Sequence, residues 1–205
     1  MLRDVRHFQW MWAVFIGLAV GCGQKTPDWL VPPPIDVRAI LGAIMEQADK
    51  DQSDSLEGEE LSVIPALLTA LPVLDSNTDK KLSRDEIRTW LERLKKDGVP
   101  RQQVSLSIHF RGKPLANASV KLVPEACMKG TIEHAVGTTD DQGLVYMNVH
   151  TGGFVGAHCG LYRLEVTGKQ ANGKPIPAKY GPGSALGYAI GGGLPDSWHP
   201  KVVLE

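Results

Sequence analysis

The chain has 205 residues, 42% hydrophobic and 22% charged, an ordinary globular composition that suits one or two domains. Its 22 basic and 23 acidic residues give a formal charge of -1. The basic excess expected of a nucleic-acid binder is therefore missing.

The first segment reads as a targeting signal. Arg3, Arg6 and His7 make a positive start, and Trp10 to Gly21 is an uncharged apolar run, WMWAVFIGLAVG. That run is short for a bilayer span, which needs about 20 residues, and suits the core of a secretory signal. Cys22 follows at once. The segment resembles a bacterial lipoprotein signal, in which a cysteine after a small residue is lipidated and becomes the mature N-terminus. Such signals usually place Leu three residues before the cysteine; here Ala19 holds that place and Leu18 is one further out. An ordinary signal peptide with an incidental cysteine and a retained N-terminal anchor are the other readings. All three export the protein. Losing Arg3, Asp4 and Arg6 with residues 1–21 takes the charged residues to 20 basic and 22 acidic, a net charge of -2. Cys127 and Cys159 then remain, and an even pair in an exported chain suggests a disulfide.

Residues 22–34 form a linker whose Pro32-Pro33-Pro34 favours a stiff, extended spacer. Helical spacing begins with Ile35, Val37, Ile40, Leu41, Ile44 and Met45. Asp36 supplies a negative charge at the first turn. Leu61 to Leu74 is a second apolar segment, in which Pro65 and Pro72 would each break or start a helix. A further helix is expected from Ser83 to about Lys96, with Ile87, Trp90, Leu91 and Leu94 on one side. Gly98 and Pro100 stand in stop positions.

Two acidic loops interrupt these helices. Asp49–Glu60 reads DKDQSDSLEGEE and Asp75–Glu86 reads DSNTDKKLSRDE. In the first, Asp49, Asp51 and Ser53 hold positions 1, 3 and 5. Ser55 offers a backbone carbonyl at position 7, Glu57 acts through water at position 9, and Glu60 closes the loop at position 12. In the second, Asp75, Asn77 and Asp79 hold positions 1, 3 and 5, followed by Lys81 (carbonyl), Ser83 and Glu86. This is the EF-hand spacing. Ca²⁺ is a hard ion that takes six to eight oxygens. Alternate loop residues supply them from one side, and a glutamate at the start of the exit helix supplies two more. Leu56 and Leu82 both fall at position 8, where they could anchor the loops and pair as a ribbon. Position 6 is normally glycine because the chain turns left-handed there. Here it is Asp54 and Lys80, and Lys80 carries a cost of roughly 1 kcal/mol. The two loops start 26 positions apart, which resembles the compact EF-hand pairs of bacterial exported proteins. Extracellular modules of this kind bind at about 10⁻⁴ to 10⁻³ M, which makes calcium a structural staple rather than a signal.

From Val104 the pattern alternates with period two. VSLSIHF, SVKLV, HAVGTT, LVYMNV, LYRLEV and PKVVLE read as short strands between Gly-rich turns. GKPLANASVKLVPE, TTDDQGLVYMNV, GLYRLEV and IPAKYGPGSALGYAI, in that order, resemble the carboxypeptidase regulatory-like, or transthyretin-like, domain. That resemblance implies an accessory β-sandwich and no peptidase activity. Catalytic patterns are lacking. His109, His134, His150, His158 and His199 are scattered, and His158-Cys159 are neighbours that point to opposite faces of a strand. Ser184 in GPGSALG lacks the G-x-S-x-G context, and GYAIGGGLP has no Lys-Ser/Thr of a phosphate loop.

The expected chain is α+β: a signal peptide (1–21), a linker (22–34), a small all-α EF-hand pair (35–97) and an all-β antiparallel sandwich (104–205). The expected function is a non-enzymatic, exported calcium-binding lipoprotein of the cell envelope. A membrane would hold its lipid anchor, and its β part would meet an envelope protein or glycan. A purely structural envelope spacer and an enzyme with unrecognised catalytic residues are the alternatives.

Overall fold

The computed structural model describes residues 30–149, 156–194 and 201–205. The signal segment, Cys22, His150 and His199 lie outside them. The chain is a mixed α+β protein, with four helices and three sheets among the described residues. Among the described residues no helix is long and apolar enough to cross a membrane.

Helix α1 (Val37–Ala48) starts where Asp36 accepts a hydrogen bond from the Ala39 N–H at 3.0 Å. Such a cap satisfies one of the orphan donors of a helix start. Its buried face is Ile40, Leu41, Ile44, Met45 and Ala48. Strand β1 (Ser55–Leu56) and the short helix α2 (Glu59–Val63) follow. In α3 (Pro65–Leu74), Pro65 opens the helix, where a missing N–H costs nothing. Pro72, expected to break or start a helix, does neither: it sits inside the last turn and α3 runs on to Leu74. Strand β2 (Leu82–Ser83) leads into α4 (Arg84–Asp97), which opens with a Ser83–Glu86 capping box and ends at Gly98 with φ 56°. The end of the linker lies on α4: Pro32 and Pro33 line a small cavity with Leu94, Gly98 and Cys159.

The β part contains β3 (Ser105–Phe110), β4 (Lys113–Pro114), β5 (Ser119–Pro124), β6 (Ala135–Thr138), β7 (Leu144–Tyr146), β8 (Asn148–Val149), β9 (Gly160–Thr167), β10 (Gly187–Ile190) and β11 (Lys201–Leu204). One sheet runs β10-β9-β5-β6-β8; in the other, β3 pairs with β11, β4 and β7. Leu106, Ile108 and Phe110 on β3, with Val120 and Leu122 on β5, alternate inward as period-two patterning requires.

Three expectations need correction. The β part is not wholly antiparallel, because β11 returns beside β3 in parallel, Val202 opposite Ile108. LVYMNV is not one strand. Its halves join different sheets, β7 on β3 and β8 on β6, with Met147 fully buried at the crossing. Gly187–Ile190, read as loop, is an edge strand on β9.

The helical and β parts share one apolar core. Thr69 donates from its hydroxyl to the Gly187 carbonyl at 3.2 Å, and Trp90 Nε1 donates to the Gly191 carbonyl at 3.2 Å. Gly187 has no Cβ because one would overlap the Pro65 carbonyl and the Ala66 nitrogen. The start of α3 therefore sits directly on the β10 backbone.

Candidate functional site: the paired acidic loops

Each loop joins two helices, so the incoming helix fixes its first aspartate and the outgoing helix its last glutamate. Asp49 caps the C-terminal end of α1 and Glu60 lies in the first turn of α2. Asp75 ends α3 and Glu86 lies in the first turn of α4. Leu56 and Leu82 are fully buried and pair across the β1–β2 ribbon, with Ser55 opposite Ser83. Burying two leucines ties both loops to the core, each side chain being worth roughly 1.5–3 kcal/mol.

The same hydrogen bonds recur in both loops. Asp49 Oδ1 accepts from the Ser53 N–H at 3.0 Å, and Oδ2 from the Asp54 N–H at 3.1 Å. Asp75 does the same with Asp79 and Lys80, at 3.2 and 2.8 Å. At position 3, Asp51 and Asn77 each accept from the position-5 N–H at 3.0 Å. Glu60 folds back to accept from the Lys50 N–H at 2.7 Å and the Glu57 N–H at 3.3 Å. Glu86 accepts from the Ser76 N–H at 2.8 Å and the Ser83 N–H at 2.9 Å.

The loops differ in their oxygens. Carboxylate oxygens of Asp49, Asp51 and Glu60 lie within 4.8 Å of one another, the only such group of three or more His, Cys, Asp or Glu among the described residues. The second loop has Asn77 in place of an acid, and its amide donates to Asp79 Oδ2 at 2.9 Å. Ser53 and Ser55 hydroxyls are 3.1 Å apart, and Ser53 Oγ also donates to the Ser55 carbonyl at 3.1 Å. Glu57 stands outside the convergent group because Lys81 of the other loop takes it, at 2.5 Å. Arg84 similarly holds Asp54, at 2.7 Å. These exposed pairs cross-link the loops, but water and salt screen them, so they add little stability of their own. The convergent donors are all oxygens, which fits a hard divalent cation and no softer metal.

Charge in the loops is already supported by backbone donors. Partial burial works against the Glu86 carboxylate, but hydrogen bonds from Ser83 and Ser76 outweigh it and bring its pKa down to about 2. The Ser53 hydrogen bonds hold Asp51 below its ordinary value. The ion pair with Glu57 raises Lys81.

Sequence reasoning anticipated the left-handed turn at position 6, with Asp54 at φ 58° and Lys80 at φ 66°. It missed position 4, where Gln52 (φ 59°) and Thr78 (φ 61°) are also left-handed. No residue type marks that position, so no signal was present to find.

Cys127 and Cys159 are thiols rather than the expected disulfide. Cys159 Sγ lies 3.7 Å from Gln102 Oε1, with its side chain packed against Gly191. Cys127 sits on a 3-10 turn (Ala126–Met128) beside Glu125, and burial with that carboxylate pushes its thiol up to about 12. Of the described histidines, His158 Nδ1 is bonded to the Pro100 carbonyl at 2.8 Å, His109 Nδ1 lies 3.4 Å from Ser107 Oγ, and His134 is exposed. Ser184 is buried and its hydroxyl accepts from the Leu186 N–H at 3.1 Å, a turn-closing role.

No family model matches the chain, and no curated protein or solved structure matches it.

Proposed function

We propose that the chain is an exported, non-enzymatic calcium-binding protein of the bacterial cell envelope, anchored as a lipoprotein through Cys22. In this reading residues 35–97 are an EF-hand pair and 104–205 a β-sandwich that serves as an interaction module. The observation that carries the calcium reading is the repetition of one loop in two places. Five backbone-to-side-chain bonds recur position by position, and the position-8 leucines pair.

Asp49, Asp51, Ser53, the Ser55 carbonyl and Glu60 would hold one ion, with Glu57 acting through water once released from Lys81. Asp75, Asn77, Asp79, the Lys81 carbonyl, Ser83 and Glu86 would hold the other. A bound ion neutralises clustered carboxylates and closes each loop, so it acts as a staple for helices with a modest core of their own. The shared core with the sheets favours this structural role over a switch, because an opened helical pair would strip Trp90 and Leu94 from Gly191 and Gly192.

Calorimetric calcium titration of residues 23–205 tests the reading beside a Glu60→Gln/Glu86→Gln double variant. The parent should bind two ions at about 10⁻⁴ to 10⁻³ M and the variant none. No heat and no shift of the melting temperature at millimolar calcium, on the order of the expected dissociation constant, would sink it. Lipidation is tested separately by labelled fatty-acid incorporation, expected in the full chain and lost in Cys22→Ser.

A further inference from the structure

A cleft of about 850 Å³ lies where the outer face of β5 and β9 meets the Lys129–His134 segment and α1. Its floor is Lys121, Val123 and Arg163; Val123 and Arg163 are opposite each other across the two strands. Gln47 reaches it from α1, and Lys129, Glu133 and His134 form the rim.

Arg163 is tethered at one end of its fork by Glu125. Its Nη2 donates to Glu125 Oε2 at 3.3 Å, and Glu125 is only 3% exposed at the end of β5. A guanidinium has five N–H donors in a rigid fork. The remaining donors of Arg163 make no hydrogen bond among the described residues, and its side chain keeps 28% of its surface open. Lys121 and Lys129 stand in the same cleft with no ion pair among the described residues. Glu165, the cross-strand neighbour of Lys121, instead accepts from the Gly183 N–H at 3.3 Å. Two lysines and the tethered arginine thus line one cleft with two carboxylates, Glu125, already engaged by Arg163, and Glu133 on the rim.

We propose that this cleft binds a small organic oxyanion, a carboxylate or phosphate of metabolite size. Arg163 makes the bidentate contact, and Lys121 and Lys129 close on the remaining charge. A planar fork matches two oxygens of either group. The volume falls in the range of small-molecule sites, roughly 300–1,000 Å³. An inorganic ion would leave most of it empty. Val123, Pro124, Ala126 and Ile132 supply an apolar wall for the body of the ligand. Nothing in this assignment depends on the acidic loops.

The test is amide chemical-shift titration of the full chain with glucuronate, succinate, glucose 6-phosphate and inorganic phosphate. At least one organic probe should shift the amides of Lys121, Lys129 and Arg163 saturably, with a dissociation constant of about 1 mM or below. Lys121→Glu/Lys129→Glu should weaken it by roughly tenfold or more, about 1.4 kcal/mol. Lys201→Glu, on the other sheet, should leave it unchanged. Carboxylate and phosphate probes decide which oxyanion is preferred. No saturable shift from any organic probe at about 10 mM overturns the proposal. Equal weakening by Lys201→Glu does so too, and so does inorganic phosphate binding as tightly as every organic probe, which would mark an adventitious ion only.

Discussion

Four side-chain-bearing residues, Gln52, Asp54, Thr78 and Lys80, carry the left-handed turns of the acidic loops at φ 58–66°. The cost of that conformation is about 1–2 kcal/mol for most residues, least for Asp and greatest for a β-branched side chain. Thr78 is therefore the most strained of the four, although its hydroxyl donates to the Asn77 carbonyl at 2.7 Å. Thr78→Gly should raise stability by about 1 kcal/mol in urea denaturation, after allowance for the extra freedom of Gly when unfolded. Gln52→Gly should gain less. A loss on Thr78→Gly would mean that the local hydroxyl bond outweighs the backbone strain. Glu125 gives a second prediction at this scale. Burial raises its pKa above the ordinary 4.5, with Arg163 only partly opposing it. The folded chain then binds that proton more tightly than the unfolded one. Its contribution is largest below 4.5 and erodes as pH rises through the folded value. The stability of the parent relative to Glu125→Gln should accordingly fall as pH is raised from 4.5 towards neutrality. Paired urea melts read this directly. A difference that grew with pH would show that attraction to Arg163 dominates.

At the scale of elements, what was legible was local. Gly98 marked the end of α4, the two helix starts were placed to within two residues (Asp36, read as a first-turn charge, and Ser83, read as the first helical residue, are the N-caps), and the spacing from Asp49 to Glu60 repeated in Asp75 to Glu86 because a loop of fixed length imposes it. What was not legible depended on remote partners. LVYMNV alternates like one strand, but Met147 is drawn into the core and hands the chain from one sheet to the other. Gly187–Ile190 reads as loop because its glycine is set by α3 rather than by a turn. The direction of β11 is decided by β3, more than 90 residues earlier. The cysteine pair failed for the same reason: an even count says nothing about distance. Gly187 is the sharpest case for a test. A methyl there meets backbone atoms of Pro65 and Ala66, which cannot rotate away. Gly187→Ala should cost about 3 kcal/mol or more, because α3 must lift from β10. The same change at Gly42, which has nothing within 4 Å, should be neutral or slightly stabilising, since it lies on an exposed turn of α1. Thermal melts of the two variants separate packing from propensity.

For the whole molecule, the decisive feature is that the acidic loops and the sheets report to one core. Ile44 and Met45 of α1, Trp90 and Leu94 of α4, and Tyr162 and Ile190 of the sheet are buried together. An ion that binds only the folded loops stabilises everything that unfolds with them, by about 2.7 kcal/mol at a hundredfold excess over its dissociation constant. Calcium should therefore raise the melting of the sheets as much as that of the helices. Amide exchange at β5 and β9, read beside α1 and α4, should slow by the same factor on adding calcium. Slowing confined to the helices would mean that the contacts of Thr69, Trp90 and Pro65 are too weak to join the two parts. Gly187→Ala then provides the internal control. If the α3–β10 contact carries the coupling, calcium in that variant should still protect α1 and α4, while β5 and β9 lose most of the gain.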